Sequence, residues 1–201
     1  MDYLATAWQN IQIGWWVAVL WFVGFNGTGK LLKPRARYLP DNWITAIDKK
    51  IPFFPYGFDA VYLLGYVLPF YPLLFVESKT QAWAVMFGYA LTLMLSFLIF
   101  MFYPVKMKQH KHNPKTPLMK FIYAYAPNSN CLPSVHCSYA TLPFLAALIA
   151  HRPEAPIVGL VGLAVIVSTV FTKQHWAVDC LAGIAVAVFS MGFMYGLFFL
   201  L

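Results

Sequence analysis

Long apolar segments alternate with short polar segments along the whole chain, and this alternation predicts the fold. A helix needs about 20 mainly apolar residues to cross the hydrocarbon core of a bilayer. The pattern therefore predicts an all-α integral membrane protein in which residues 1–201 form a single domain, a bundle of six transmembrane helices. The six predicted helices cover residues 8–28, 60–76, 81–103, 133–150, 155–172 and 177–199.

The amino-acid composition agrees with this pattern. The chain is 61% hydrophobic and only 10% charged, whereas soluble domains carry about 25% charged residues. We therefore expect a multi-pass protein of the inner or plasma membrane, with the bilayer itself as a partner.

The basic residues collect on one side of the predicted bundle. Lysine and arginine number 14 against 7 acidic residues, and 12 of the 14 fall in the loops between predicted helices 1–2, 3–4 and 5–6. Six alternating spans place these three loops on the same side. Such an excess is typical of cytoplasmic loops that meet anionic headgroups. We therefore predict a basic cytoplasmic face and no nucleic-acid partner.

The cysteines and the paired histidines do not predict a metal site. Cys131, Cys137 and Cys180 are odd in number and form no CxxC pair, which argues against a disulfide framework and against a zinc site. His110 and His112 lie in a lysine-rich loop without acids or cysteines nearby, which favours solvated loop residues. We expect no metal and no other cofactor.

A polar stretch at residues 168–179 separates the last two apolar segments. His175 and Asp179 are four residues apart, so on a helix their side chains would share one face. A carboxylate held against one ring nitrogen fixes the tautomer of a histidine and stabilises its charged form. The spacing predicts that His175 is a nucleophile oriented by Asp179. The alternative is a polar helix end at the membrane surface.

A second polar motif, Pro133-Ser134-Val135-His136, opens the fourth apolar segment. Proline suits the first turn of a helix, where its missing N–H is no loss. Six spans place this motif on the same side as His175, which predicts an active site at one membrane face. There His136 would donate a proton to a leaving group, and Ser134 with the free N–H groups of the helix start would bind an anion.

Positive charge and hydroxyl groups near these motifs suggest phosphoryl transfer, which requires positioning, an in-line nucleophile and cations around the phosphate. A general acid would contribute about 10²–10⁴-fold to the rate. Ser168 could serve the site or simply pack within its helix. The predicted phosphate-binding residues are Ser134, Lys106, Lys108, Lys173 and Ser168.

The two motifs resemble those of the type-2 phosphatidic acid phosphatase superfamily. Pro133-Ser134-Val135-His136 is similar to its PSxH motif, and Ser168-(x)6-His175-(x)3-Asp179 is similar to its third motif. The resemblance implies a metal-independent reaction on a phosphorylated lipid through a phosphohistidine at His175. It also implies that Asp179 orients this ring, that His136 protonates the departing oxygen, and that Ser134 with basic residues holds the phosphate.

The chain departs from the family pattern at two phosphate-binding arginines. For the first motif, Lys-(x)6-Arg-Pro, Lys106-(x)6-Asn113-Pro114 keeps the lysine and proline but not the arginine, and Lys108-(x)6-Lys115 is a poorer alternative. Thr169 stands where the third motif has arginine. Lysine carries the charge but lacks the bidentate grip of arginine. Residues 172–176 and 39–53 more weakly resemble the inositol phosphorylceramide and sphingomyelin synthase branch, which transfers phosphorylated headgroups between lipids.

Three functional hypotheses follow. The first is a lipid phosphatase, the second is a lipid phosphotransferase that uses the same histidines, and the third is a non-enzymatic transport or structural bundle. A transporter should carry polar residues near the middle of its spans, whereas here the ionisable groups gather at span ends. For either enzyme we expect a hydrophobic slot between spans, entered laterally from the bilayer, with the phosphate at its basic rim and the two histidines close together.

Overall fold

The computed structural model describes residues 3–41, 43–107, 115–125 and 129–199. The protein is 73% helical and all-α, as predicted. A short parallel pair joins β1, Arg37–Tyr38, to β2, Val105–Lys106. The α helices are α1 Tyr3–Leu32, α2 Ala46–Lys50, α3 Phe58–Leu64, α4 Lys79–Phe102, α5 Pro117–Tyr125, α6 Val135–Ile149, α7 Ala155–Phe171 and α8 Ala177–Phe199.

Two helices, α4 and α8, are long and apolar enough to cross a membrane by length and composition. Helices α6 and α7 are also apolar but shorter, with 15 and 17 residues. Helix α1 has 30 residues and contains the first predicted segment. These helices coincide with five of the six predicted segments, and the two long ones support an association with the membrane.

The second predicted segment, residues 60–76, is not one helix. Helix α3 ends at Leu64, and a separate 3₁₀ helix runs from Leu68 to Leu74. Pro69 and Pro72 lie in this second piece. Proline removes a backbone donor and clashes with the preceding turn, so both positions favour a kink or a break in an α helix. The predicted second span is therefore two short helices with a break between them.

Helix α5 was not predicted, and it begins with local capping. Thr116 precedes the helix, and its hydroxyl accepts the backbone N–H of Met119 at 3.1 Å. The same hydroxyl donates to the buried Asp59 carboxylate of α3. Met119 and Ile122 pack against Tyr62. Helix α5 is thus fastened to α3 at its start and along its length, behind a tyrosine that contacts the site described below.

Small residues allow the central helices to approach closely. Helix α6 packs against α7 and α8, while α4 packs against α8 and α1. A Cβ on Gly162 of α7 would lie 2.4 Å from the carbonyl oxygen of Ala140 in α6. A Cβ on Gly183 of α8 would lie 2.4 Å from the carbonyl oxygen of Ser134 at the start of α6. Glycine at these positions lets the backbones meet, as is common between membrane helices.

Helix α1 is tied to the 3₁₀ helix by a buried amide. The side-chain N–H₂ group of Asn10 donates to the carbonyl oxygens of Leu73 and Val76 at 3.0 and 2.8 Å. Carbonyl groups at the end of a helix have no partner within the helix, and leaving them buried and unpaired is costly. Asn10 therefore stabilises the broken second segment against α1.

Replacement of Gly183 by alanine should destabilise the bundle, because the new Cβ would clash with the backbone of α6. Overpacking of this kind costs about 1–3 kcal/mol. At Gly192, on the same helix, an added Cβ would have no heavy atom within 4 Å. Gly192→Ala should be neutral or slightly stabilising because alanine favours helix by about 1 kcal/mol. Thermal unfolding in detergent measures both, and equal midpoints would contradict the close contact.

Candidate active site

His175 and Asp179 meet as predicted, but not on one helix. Helix α7 ends at Phe171 and α8 begins at Ala177, so His175 lies in the connecting turn and Asp179 lies in the first turn of α8. The ring Nδ1 atom of His175 is 3.6 Å from Oδ2 of Asp179. This is an ion-pair distance, slightly longer than a hydrogen bond. The spacing predicted the correct pair, whereas the assumed helical geometry was wrong.

The turn before His175 is a Schellman motif. Lys173 adopts a left-handed backbone conformation with φ 55°. The N–H of Lys173 donates to the carbonyl of Val170, and the N–H of Gln174 donates to the carbonyl of Thr169. These two bonds complete the C-terminus of α7 and reverse the chain direction. The N–H of His175 also donates to the carbonyl of Thr169 at 3.2 Å, so the backbone of the histidine is held by the preceding helix.

Asp179 is held by the start of its own helix. Its Oδ2 atom accepts the backbone N–H of Trp176 at 3.0 Å, which is half of a capping box. The side chain is fully buried, and the positive end of the helix dipole favours its negative charge. The orientation of the Asp179 carboxylate is therefore set by its own helix and does not depend on its contact with His175.

The surroundings of His175 have opposing effects on its protonation. Burial disfavours the charged ring, but the Asp179 side chain together with Cys137 and the Cys131 backbone favours it, and the net result raises the pKa of His175 above its ordinary value. Nδ1 faces Asp179 without a hydrogen bond, and the ring hydrogen-bonds the backbone of Cys131, so Nε2 would have to exchange that contact to act on a substrate.

His136 lies in the first turn of α6 among aromatic rings. It stacks on Tyr62 with 4.0 Å between ring centroids and an angle of 5°, and Tyr66 meets it edge-on at 5.1 Å. Its Nε2 atom donates to the carbonyl oxygen of Tyr62 at 2.8 Å, which leaves Nδ1 for a substrate. A Cβ on Gly65 would lie 2.2 Å from Nε2, so the ring fits only against glycine.

The predicted hydroxyl ligands of phosphate have structural partners. Ser134 is the N-cap of α6, where its Oγ atom accepts the N–H of Cys137 at 3.1 Å. Its own N–H donates to the carbonyl of Asp179 at 3.0 Å and joins the starts of α6 and α8. Ser168 donates its hydroxyl to Val165 of the same helix at 2.6 Å. Both serines are fully buried, and Ser168 fits its helix-packing alternative.

The predicted lysines also contact protein groups. The Nζ atom of Lys173 donates to the carbonyl of Asp48 at 3.2 Å and lies 5.3 Å from the ring of Trp176. Burial lowers the pKa of Lys173 from its ordinary value. Lys106 lies over the ring of Tyr38 at 4.7 Å. Lys108 lies outside the described residues. Phosphate binding by Lys106 or Lys173 would require these contacts to be exchanged.

A cavity of about 380 Å³ is lined by both histidines. Its walls come from α1, α3, the 3₁₀ helix, α4 and α6, and no Lys, Arg, Asp or Glu is among the described residues that line it. The wall also includes Ile11, Trp15 and Phe70, whose side chains are exposed. An apolar slot lined by both histidines is therefore present, but the basic rim expected for the phosphate is not found among its described lining residues.

Three residues that shape the site were not predicted from the sequence. Tyr62 and Gly65 shape the place of His136, and Asp48 accepts the backbone N–H of Ala177 at 2.9 Å, beside His175. The pattern Thr45-x-x-Asp48 was visible as a capping box, but its contact with α8 was not.

The described residues contain no group of three or more His, Cys, Asp or Glu side chains suited to a metal ion. His110 and His112 lie outside the described part of the chain. Cys131, Cys137 and Cys180 are buried, and none of these three thiols forms a disulfide.

No protein-family model, curated protein or solved structure matches this chain.

Asp179→Asn should lower the pKa of His175. The amide has nearly the same shape but removes the charge that favours the imidazolium, so burial then dominates. Titration of histidine ring signals by NMR measures this pKa, and the exposed His151 provides the internal reference. An unchanged His175 pKa would mean that Asp179 does not act on the ring.

Proposed function

We propose that this protein is a membrane lipid phosphatase, which hydrolyses a phosphate or pyrophosphate monoester of a lipid through a phosphohistidine and without a metal. One observation carries the proposal: two histidines, one of them paired with a buried aspartate, line an apolar cavity whose wall includes exposed residues. The proposed reacting groups thus border a space that could hold part of a lipid.

The proposed reaction has two steps. Nε2 of His175 attacks phosphorus, the bond between phosphorus and the lipid oxygen breaks, and this oxygen takes a proton from His136. Water then attacks the phosphohistidine, gives up a proton to His136, and releases phosphate and free His175. Asp179 stabilises the positive charge on the substituted ring.

The surroundings of His136 suit the acid role only in one protonation state. Because Nε2 donates to the carbonyl of Tyr62, the proton for the lipid oxygen must come from Nδ1. The acid is therefore the doubly protonated ring; the face of Tyr62, 4.0 Å away, favours this cation, whereas burial and the neighbouring His175 disfavour it. After transfer the ring is neutral and still anchored through Nε2, ready to accept the proton of water.

The outer surface of the helices supports a multi-pass protein. On α7 the side chains of Ile157, Leu160, Leu163 and Val167 are exposed along one stripe, and contiguous exposed apolar surface is rare in soluble monomers. We propose that α1, α4, α6, α7 and α8 span the membrane, and that α3 with the 3₁₀ helix forms a broken sixth crossing. The bilayer would be the inner or plasma membrane, with the active site at its basic cytoplasmic face.

Phosphotransfer to a second lipid is the alternative, and one observation favours it. His175 is only 8% exposed and the cavity walls are apolar, which limits access of water more than access of a lipid alcohol. The first step would be the same, and the acceptor hydroxyl would replace water in the second. A non-enzymatic bundle is the further alternative, in which the histidines serve only the packing of helix ends.

Substitution of either site histidine by alanine should strongly reduce or abolish phosphate release from the lipid substrate. His136→Ala should lose about 10²–10⁴-fold, as expected for a general acid, and His175→Ala should retain no turnover. The assay uses purified protein in detergent with a panel of phosphorylated lipids, with and without chelator, and follows free phosphate and headgroup-transfer products together. His151→Asn is the control, because His151 is exposed in a loop with φ 51°.

The products separate the hypotheses. Chelator-resistant phosphate release supports the phosphatase, and transfer product without free phosphate supports the transferase. Full activity in both histidine variants, with folding intact, would leave the non-enzymatic bundle.

Gly65→Ala should reduce turnover through His136, because the new Cβ would displace its ring. Misplacement of a reacting group by about 1 Å can cost about 10²-fold in rate. Gly27→Ala is the matched control, since Gly27 has no heavy atom within 4 Å of a Cβ position. Steady-state kinetics with both variants measure the effect. Similar kcat values for the two would contradict the placement of His136.

A further inference from the structure

Asp48 is a buried acid that belongs to no predicted motif and contacts the turn that carries His175. It lies in the short helix α2, and its side chain is fully buried. The Oδ1 atom accepts the backbone N–H of Ala177 at 2.9 Å. The Asp48 carbonyl accepts the Nζ atom of Lys173 at 3.2 Å. One residue therefore binds the chain two residues before His175 and again two residues after it.

Asp48 is itself held firmly. Its Oδ2 atom accepts the hydroxyl of Thr45 at 2.7 Å and the N–H of Thr45 at 3.1 Å. In return the Thr45 hydroxyl accepts the N–H of Asp48 at 3.0 Å, which completes a capping box around α2. A buried carboxylate with three such donors is stabilised in one orientation. The contact with α8 is thus made by a fixed group.

The contact with Asp48 supplies a hydrogen-bond acceptor that the start of α8 lacks. The first N–H groups of a helix have no partner within the helix. Asp179 accepts the N–H of Trp176, and Asp48 accepts the N–H of Ala177. Two acids, one local and one remote, thereby divide the capping of α8. On the other side of His175, Lys173 has the left-handed backbone conformation that is unusual for a residue with a side chain, and its Nζ donates to the backbone carbonyl of Asp48.

We propose that Asp48 is a positioning residue for phosphoryl transfer, which holds the 173–177 turn so that the ring of His175 stays against Asp179. This inference rests on the function proposed above. Asp48 is not among the described residues that line the cavity, so it acts on the substrate only through His175. Its loss should therefore reduce the chemical step and leave substrate binding intact.

The kinetic test compares Asp48→Ala and Asp48→Asn with Asp41→Ala. Asp41 is an exposed acid just before the same helix, so its removal changes the charge without changing the turn. Asp48→Ala should lower kcat on the order of 10²-fold, with KM within about twofold of wild type. Asp48→Asn keeps an oxygen for Ala177 but loses an acceptor for Thr45, so its kcat should lie between those of Asp48→Ala and wild type.

A second readout does not depend on the proposed reaction. Diethyl pyrocarbonate acylates accessible neutral imidazole, and mass spectrometry of peptides measures the rate at His175 itself. His175 is only 8% exposed, so a released turn should increase this rate several-fold in Asp48→Ala but not in Asp41→Ala. His151 serves as the internal standard, since it is exposed in every variant.

The outcomes separate the two proposals. Unchanged kcat and unchanged acylation of His175 in a folded Asp48 variant would overturn the positioning role. A rise in KM with unchanged kcat would also overturn it, because the residue would then serve substrate binding. If Asp48→Ala does not fold, the same criteria apply to Asp48→Asn. If His175→Ala retains wild-type turnover, the phosphohistidine mechanism fails, and the acylation rate still decides whether Asp48 holds the turn.

Discussion

The contact between the first turns of α6 and α8 is the constraint on which the site depends. The N–H of Ser134 donates to the carbonyl of Asp179 at 3.0 Å, and Gly183 lets the two backbones approach. His136 is two residues after this serine, and His175 is four residues before this aspartate. Two histidines from distant parts of the sequence therefore share one cavity because two helix N-termini are held together.

The second feature is the hydrogen bonding of two acids that are buried in an apolar interior. A buried carboxylate is costly unless it is paired or hydrogen-bonded. Asp179 and Asp48 are both fully buried, and both accept backbone N–H groups at the start of α8. The helix start thus stabilises the carboxylates, and the carboxylates satisfy the helix start. This arrangement keeps an acid beside His175 without exposing the turn to solvent.

Sequence reasoning predicted the parts of the site that depend on short spacing. The pair His175 and Asp179 was predicted from four-residue spacing, and it forms even though a turn replaces the expected helix. The prediction of one helix over residues 60–76 was wrong, because Pro69 and Pro72, expected only to kink its end, lie in a separate 3₁₀ helix and α3 already ends at Leu64. The basic residues were chosen for charge, but burial and local partners decide where a charged side chain points, as Lys173 illustrates.

By itself the sequence determined the all-α class, most of the helical segments and the pairing of a histidine with an acid. These follow from hydrophobic length and from residue spacing, which are local properties of the chain. Only the tertiary structure decided that His136 stacks on Tyr62, and that Asp48 accepts the N–H of Ala177, 129 residues away. Such contacts depend on how the helices pack, and packing brings together residues whose separation along the chain carries no periodic signal.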